Sequence, residues 1–191
     1  GYDSAGISIV NANGQFEFHK KQGNLDRLAC ELETKPLIGR AGVGHTRWAT
    51  HGAPSDSNAH PHFSKTRRVA VVHNGIIENY RELYAELNKA TIQPASETDS
   101  EVIGHLIDYF LDNHPKPTPQ EIVSYLAGRI KGTFALAIQI QDWPDQIIGM
   151  RYQCPLNFVQ LDGFSALSSD ISSLIKYTGR VGVLVDGEAV V

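Results

Sequence analysis

A chain of 191 residues, 41% of them aliphatic or aromatic and 20% charged, fits one globular domain whose core needs neither disulfides nor a structural metal. The formal net charge of −4, with Lys65, Arg67 and Arg68 as the one basic cluster, gives no footprint for nucleic acid. No apolar run reaches the length of a membrane span, no charged leader precedes an apolar block, and Cys30 and Cys154 are too few for a disulfide framework, so a reducing, cytoplasmic setting is expected.

Residues 4–10 and 15–20 read as two strands around the Asn-Gly turn of Asn11-Ala12-Asn13-Gly14. Leu25 to Leu32 suits a short helix, with Leu28 and Leu32 four apart and Cys30 between them as a small hydrophobe. Residues 39–44 lead, as a loop or short strand, into Gly44-His45-Thr46-Arg47-Trp48-Ala49-Thr50-His51-Gly52. The run 69–73 is a buried strand that delivers Asn74-Gly75 at its end. Tyr80, Leu83, Tyr84 and Leu87 mark an amphipathic helix. A second helix opens with Thr98 and Glu101 as a capping box, and a third with Thr118 and Glu121 as another, with Pro119 at its first position. Strands follow over 133–141, 146–151, 156–161 and 164–168, then a helical piece near 171–177 and a hairpin around Asp186-Gly187. Strands, then helices, then strands predict a single α+β layered domain over residues 1–191, without internal repeat or low-complexity linker.

The stretch 44–52 sets two imidazoles, a guanidinium, an indole and two hydroxyls between glycines. That mixture is too polar for a core strand and too aromatic for an ordinary solvated loop, and it reads as a binding surface. Asn58-Ala59-His60-Pro61-His62 and His73-Asn74-Gly75 answer to it. Taken singly these residues have plainer readings: Arg47 stacked on a neighbouring ring, Asp99 as a first-turn acid, Asn74-Gly75 as a bare turn. The five histidines 45, 51, 60, 62 and 73 lack the spacing of a zinc set, and structural histidines are expected in place of a metal.

Gly1-Tyr2-Asp3-Ser4-Ala5-Gly6, His45-Thr46-Arg47-Trp48-Ala49-Thr50-His51, Asn74-Gly75-Ile76-Ile77-Glu78-Asn79 and Ser96-Glu97-Thr98-Asp99 occur in one order. Together they resemble the class II glutamine amidotransferase domain, in the branch of the glutamine:fructose-6-phosphate aminotransferases. The resemblance covers almost the whole chain. It implies the N-terminal nucleophile hydrolase fold, a four-layer αββα sandwich of two antiparallel sheets between helical layers. It also implies a glutaminase needing no cofactor or metal, glutamine as substrate, and fructose 6-phosphate as acceptor in an isomerase domain beyond this chain. The parent protein is then a homo-oligomer of amino-sugar synthesis. By the same resemblance Arg47 meets the α-carboxylate of glutamine and Asp99 its α-ammonium. Trp48, Thr50 and His51 complete the substrate pocket, His60 lies beside it, and the Asn74 side chain with the Gly75 N–H forms an oxyanion hole.

The chain departs from the pattern at its start. The family's nucleophile is a cysteine at the mature N-terminus whose α-amino group is the base, and here the first residue is Gly1. Cys30 and Cys154 occupy no matching position. The expectation is a glutaminase domain truncated at both ends, without its first strand and helix, and inactive by itself. Two other readings remain open: a nucleophile-less glutamine-binding or regulatory module, and a structural domain used for assembly. Residues 157–163 also depart from the family's glycine-rich version.

Overall fold

The computed structural model describes residues 2–48, 52–87 and 92–191. Strands β1 (Ser4–Val10) and β2 (Phe16–Gln22) form the expected hairpin, with Val10 opposite Phe16. The Asn11 side chain closes its loop by accepting from the backbone N–H of Asn13 and Gln15. Helix α1 (Leu25–Thr34) lays Leu28, its one buried residue, against this hairpin. Cys30 sits on the exposed side, so it is not the core hydrophobe expected from its place between two leucines. One buried residue in a helix of 10 leaves most of it in water.

β3 (Gly42–Arg47) pairs antiparallel with β1, giving the sheet order β2-β1-β3. The polar stretch therefore begins as a strand. β1 offers it a free edge, and the small residues Ser4, Gly6 and Ser8 stand opposite Arg47, His45 and Val43 and leave room for those side chains.

A second sheet runs β11 (Ala189–Val190), β7 (Ile147–Tyr152), β6 (Gly132–Ile140), β5 (Val69–Ile77), β4 (His62–Phe63). β5 passes through Asn74 and Gly75 and stays paired with β6 as far as Gly132, so those two residues lie inside the strand and not beyond it. The period of two sends Val69, Val71 and Ile77 toward the helices, and Ala70 and Val72 toward β3, where they meet Val43. Helices α2 (Tyr80–Leu87), α3 (Glu101–Asn113) and α4 (Pro119–Ala127) contribute Leu83, Leu87, Val102, Ile103, Leu106, Ile107, Ile122 and Leu126 to one core with Leu136, Ile138 and Ile140 of β6.

The capping box of α4 is as expected, with Thr118 and Glu121 bonded reciprocally. That of α3 is not: the helix starts at Glu101, behind Ser100, without a side-chain cap. The Glu101 carboxylate reaches past Thr98 to the backbone N–H of Ala95 (2.8 Å) and Ser96 (2.7 Å) and the Ser96 hydroxyl (2.5 Å), while the Thr98 hydroxyl is paired with His62 Nε2 at 3.0 Å. Tertiary partners on both sides outcompete the local cap.

The third sheet is β10 (Gly182–Val183), β8 (Asn157–Leu161), β9 (Phe164–Ser168), followed in sequence from β9 by the one-turn helix α5 (Ser172–Ile175). The strands flanking Asp186-Gly187 do not form a hairpin with each other; β10 joins β8 and β11 joins β7. The turn is bonded instead to the end of β7, through Gly187 N–H to the Arg151 carbonyl and Gln153 N–H to Asp186. The architecture is thus α+β, with three hydrogen-bonded sheets among the described residues where the resemblance implies two. Between the unpaired edges of β3 and β9 lies a cleft of about 920 Å³, with Val72, Ala135 and Ala137 in its lining. Among the described residues no helix is long and apolar enough to cross a membrane.

Candidate active site

The site forms at the polar end of the β1–β3 face. Val43 packs on Ala70 and Val72. Two and four residues on, the same face carries His45 and Arg47. Gly6, opposite His45, allows the 58–62 segment to press against the sheet: a β-carbon there would lie 2.1 Å from the His60 carbonyl oxygen.

Beside this face a cavity of about 260 Å³ opens. Arg47 and Trp48 reach it from the end of β3, Asn74 and Gly75 from β5, Asp99 from the turn before α3, and His60 from the segment against Gly6. All six described residues that the sequence singled out line this one cavity, although they span residues 47 to 99. Thr50 and His51 lie outside the described residues. Arg47 is only 4% exposed and Asp99 only 3%, so a cation and an anion are both withdrawn from solvent here, while Trp48 is 71% exposed at the rim.

Each polar group is held. Arg47 donates through Nη2 to the Gly52 carbonyl at 3.1 Å; burial lowers its pKa and the charges of Asp3 and Asp99 oppose that. Asp99 Oδ2 accepts from the Ile77 N–H at 2.7 Å, which ties the turn before α3 to β5. Asn74 Oδ1 is 2.8 Å from His45 Nε2. Gly75 adopts φ 126°, and a β-carbon at that position would lie 2.0 Å from the Thr133 carbonyl oxygen, so only glycine fits.

Four histidines back the cavity. His60 packs between His45 and His62, with ring centroids 4.3 Å and 4.5 Å away. His73 Nδ1 is paired with the Ser100 hydroxyl at 2.8 Å. Burial holds all four below the usual imidazole pKa, His60 and His62 well below it and His73 at about 4, so the cluster is neutral in the folded protein. Lys20 is pushed down to about 8, chiefly by burial. Behind them Glu101, with His105 Nε2 at 3.0 Å, is raised by burial but lowered further by bonds from His105, Ala95 and Ser96, to about 2.

Asn58 latches the segment after Gly52 to the one before α3, donating to Glu97 and accepting from its N–H. Among the described residues no three of His, Cys, Asp and Glu converge as a metal site. Neither Cys30 nor Cys154 lines either cavity. Sequence reasoning placed His45 in the binding stretch without assigning it a role of its own, and gave none to Tyr2 or Ser100, all of which border the cavity. For His45 the signal was present: two residues before Arg47 on a strand means the same face. Chemically, the arrangement sets a buried cation and a buried anion at one cavity beside an amide and a glycine backbone, which suits a small zwitterion with a carbonyl group.

Residues 45–176 match the family described as the glutamine amidotransferase domain. The chain is 46% identical over 187 residues to glutamine–fructose-6-phosphate aminotransferase (isomerizing) of Symbiobacterium thermophilum, covering 98% of this chain and 30% of the relative. It is 44% identical over 191 residues to the protein of the same name from Bradyrhizobium diazoefficiens, covering 100% and 31%. The chain thus spans about a third of the length of these curated relatives. Among solved structures it is similar to glutamine phosphoribosylpyrophosphate amidotransferase from B. subtilis, with TM-score 0.73 and 23% identity over 96% of this chain and 39% of that one. A class II glutamine aminotransferase domain protein from Silicibacter pomeroyi aligns with TM-score 0.59 and 15% identity over 98% and 85%. At such identities these two likenesses speak to the fold alone.

Proposed function

The chain belongs to the class II glutamine amidotransferase domain family, and from that premise we propose that it is the glutamine-hydrolysing part of a larger aminotransferase, which spends the ammonia on converting fructose 6-phosphate to glucosamine 6-phosphate. The observation that carries the reading is the meeting of Arg47, Asp99, Asn74 and Gly75 around one cavity of about 260 Å³. That volume lies below the roughly 300 to 1,000 Å³ of drug-sized sites and suits a free amino acid. Arg47 meets the α-carboxylate with a two-donor fork, and Asp99 meets the α-ammonium. Trp48 covers the aliphatic stem and His60 backs the cavity, while Thr50 and His51 keep the substrate-binding roles that the resemblance implies. The Asn74 amide and the Gly75 N–H receive the oxyanion formed when the side-chain amide is attacked. The acceptor half of the reading rests on the name that the curated relatives carry.

Attack by this chemistry needs a cysteine with a free α-amino group as its base. Cys30 is exposed and Cys154 packs beside Leu156 and Ala135, outside both cavities. We therefore assign the nucleophile to a segment outside the 191 residues. Its strand would lie in the cleft between β3 and β9 and merge the two three-stranded sheets, completing a four-layer αββα sandwich of the N-terminal nucleophile hydrolase type. The test is glutamate release from glutamine, with and without fructose 6-phosphate, by the native polypeptide carrying its own N-terminus, beside the 191-residue chain. Turnover by the former and none by the latter is expected. If neither turns over while calorimetry still detects glutamine binding, the nucleophile-less binding module is the better account.

A further inference from the structure

Asn74 can present either its NH₂ or its oxygen to the cavity, since a half-turn of the amide exchanges them and only the NH₂ can donate to an oxyanion. The choice is made by its neighbour. His45 Nε2 stands 2.8 Å from the Asn74 amide, and whichever atom carries the hydrogen on the ring decides which end of the amide faces it.

One observation settles the tautomer. His45 Nδ1 is buried without a hydrogen-bond partner, so the nitrogen that donates is Nε2. With the hydrogen on Nε2, the Asn74 oxygen is drawn to His45 and the NH₂ is left for the cavity. In the opposite arrangement Nδ1 would bear a buried hydrogen with no acceptor. The ring itself is fixed by its stack against His60 and by its place on β3 opposite Gly6.

We infer that His45 is a positioning residue which, through Nε2–H, locks the Asn74 side chain with its NH₂ toward the reacting carbonyl. The inference rests on the oxyanion role proposed for Asn74. It is a role distinct from touching substrate: His45 acts through the amide, and its own protonation would leave Nε2–H in place.

The experiment compares glutamate release by the native polypeptide with that of its His45→Phe, His45→Gln, Asn74→Ala and His45→Phe/Asn74→Ala variants. Phe keeps a ring against His60 but has no donor, and Gln restores an N–H near the place of Nε2. His45→Phe should lower kcat about 10- to 100-fold, a fraction of the full loss of an oxyanion donor, with KM for glutamine changed by less than about threefold. His45→Gln should recover most of that loss, and the double variant should be no slower than Asn74→Ala alone, the non-additivity expected of one residue acting through another. A multiplicative double variant, equal losses in Phe and Gln, or an unchanged kcat in Phe would overturn the inference. If the unmodified polypeptide releases no glutamate, the proposed function fails instead. Nitrogen-15 NMR of labelled histidine in the same polypeptide then decides the orientation by itself: a hydrogen on Nε2 of His45 supports the lock, and one on Nδ1 removes it.

Discussion

Gly75 and Asn74 are neighbours with opposite sensitivities. At Gly75 a methyl group meets the Thr133 carbonyl and the backbone sits at φ 126°, so Gly75→Ala should destabilise the protein by at least about 2 kcal/mol, read as a lowered urea midpoint. A midpoint within error of the wild type would show that the strand relaxes at no expense. Asn74→Ala removes a half-exposed side chain held mainly by His45, so the expected change is in rate. Glutamine hydrolysis by the native polypeptide should fall about 100- to 1,000-fold in kcat with stability nearly unchanged. Arg47 is buried, and Arg47→Lys keeps the charge but gives up the planar fork; it should raise KM for glutamine by about tenfold, with kcat less affected. An unchanged KM would remove Arg47 from carboxylate binding.

Strands β3, β4 and β5, the segment at His60 and the first turn of α3 carry the acid-sensitive groups. His45, His60, His62 and His73 are neutral in the folded protein and titrate near 6.5 once unfolded, so their contribution to stability is complete above 6.5 and is lost as pH falls toward about 4, the value for His73. Glu101 is charged in the folded protein down to about 2 against an ordinary 4.5, so its contribution is present above 4.5 and disappears below it. Melting temperature should therefore decline in two overlapping stages, and Glu101→Gln should flatten the lower one; a melting temperature constant from 6.5 to 4 would contradict the neutral cluster. Strong local signals made the helices legible in the sequence: the Tyr80 to Leu87 stripe and the Thr118 box hold as read. What could not be read were decisions made by distant partners. Thr98 gave up its cap for His62, the end of β5 ran on because β6 extends to Gly132, and the last two short strands went to different sheets. The site was legible as a set of residue types, whereas its depth, and the presence of His45 within it, depended on the pairing of β3 with β1.

Across the whole molecule, the free edges of β3 and β9 flank the larger cleft. If a strand of the native polypeptide lies there, amide hydrogens on both edges should exchange much more slowly in that polypeptide than in the 191-residue chain, and equal rates would leave the cleft open in both. The smaller cavity bears on what the protein ignores. On the proposed function, Arg47 and Asp99, both sunk at its wall, would meet two terminal charges that a free amino acid has and a residue within a peptide lacks. A glutamine side chain of another protein would bring neutral amides where the free amino acid brings two charges, and so forgo both charge-assisted contacts. On the proposed function, glutamine residues within other proteins are not substrates, and N-acetylglutamine amide, which imitates a residue in a chain, should fail to compete with glutamine even at a large excess.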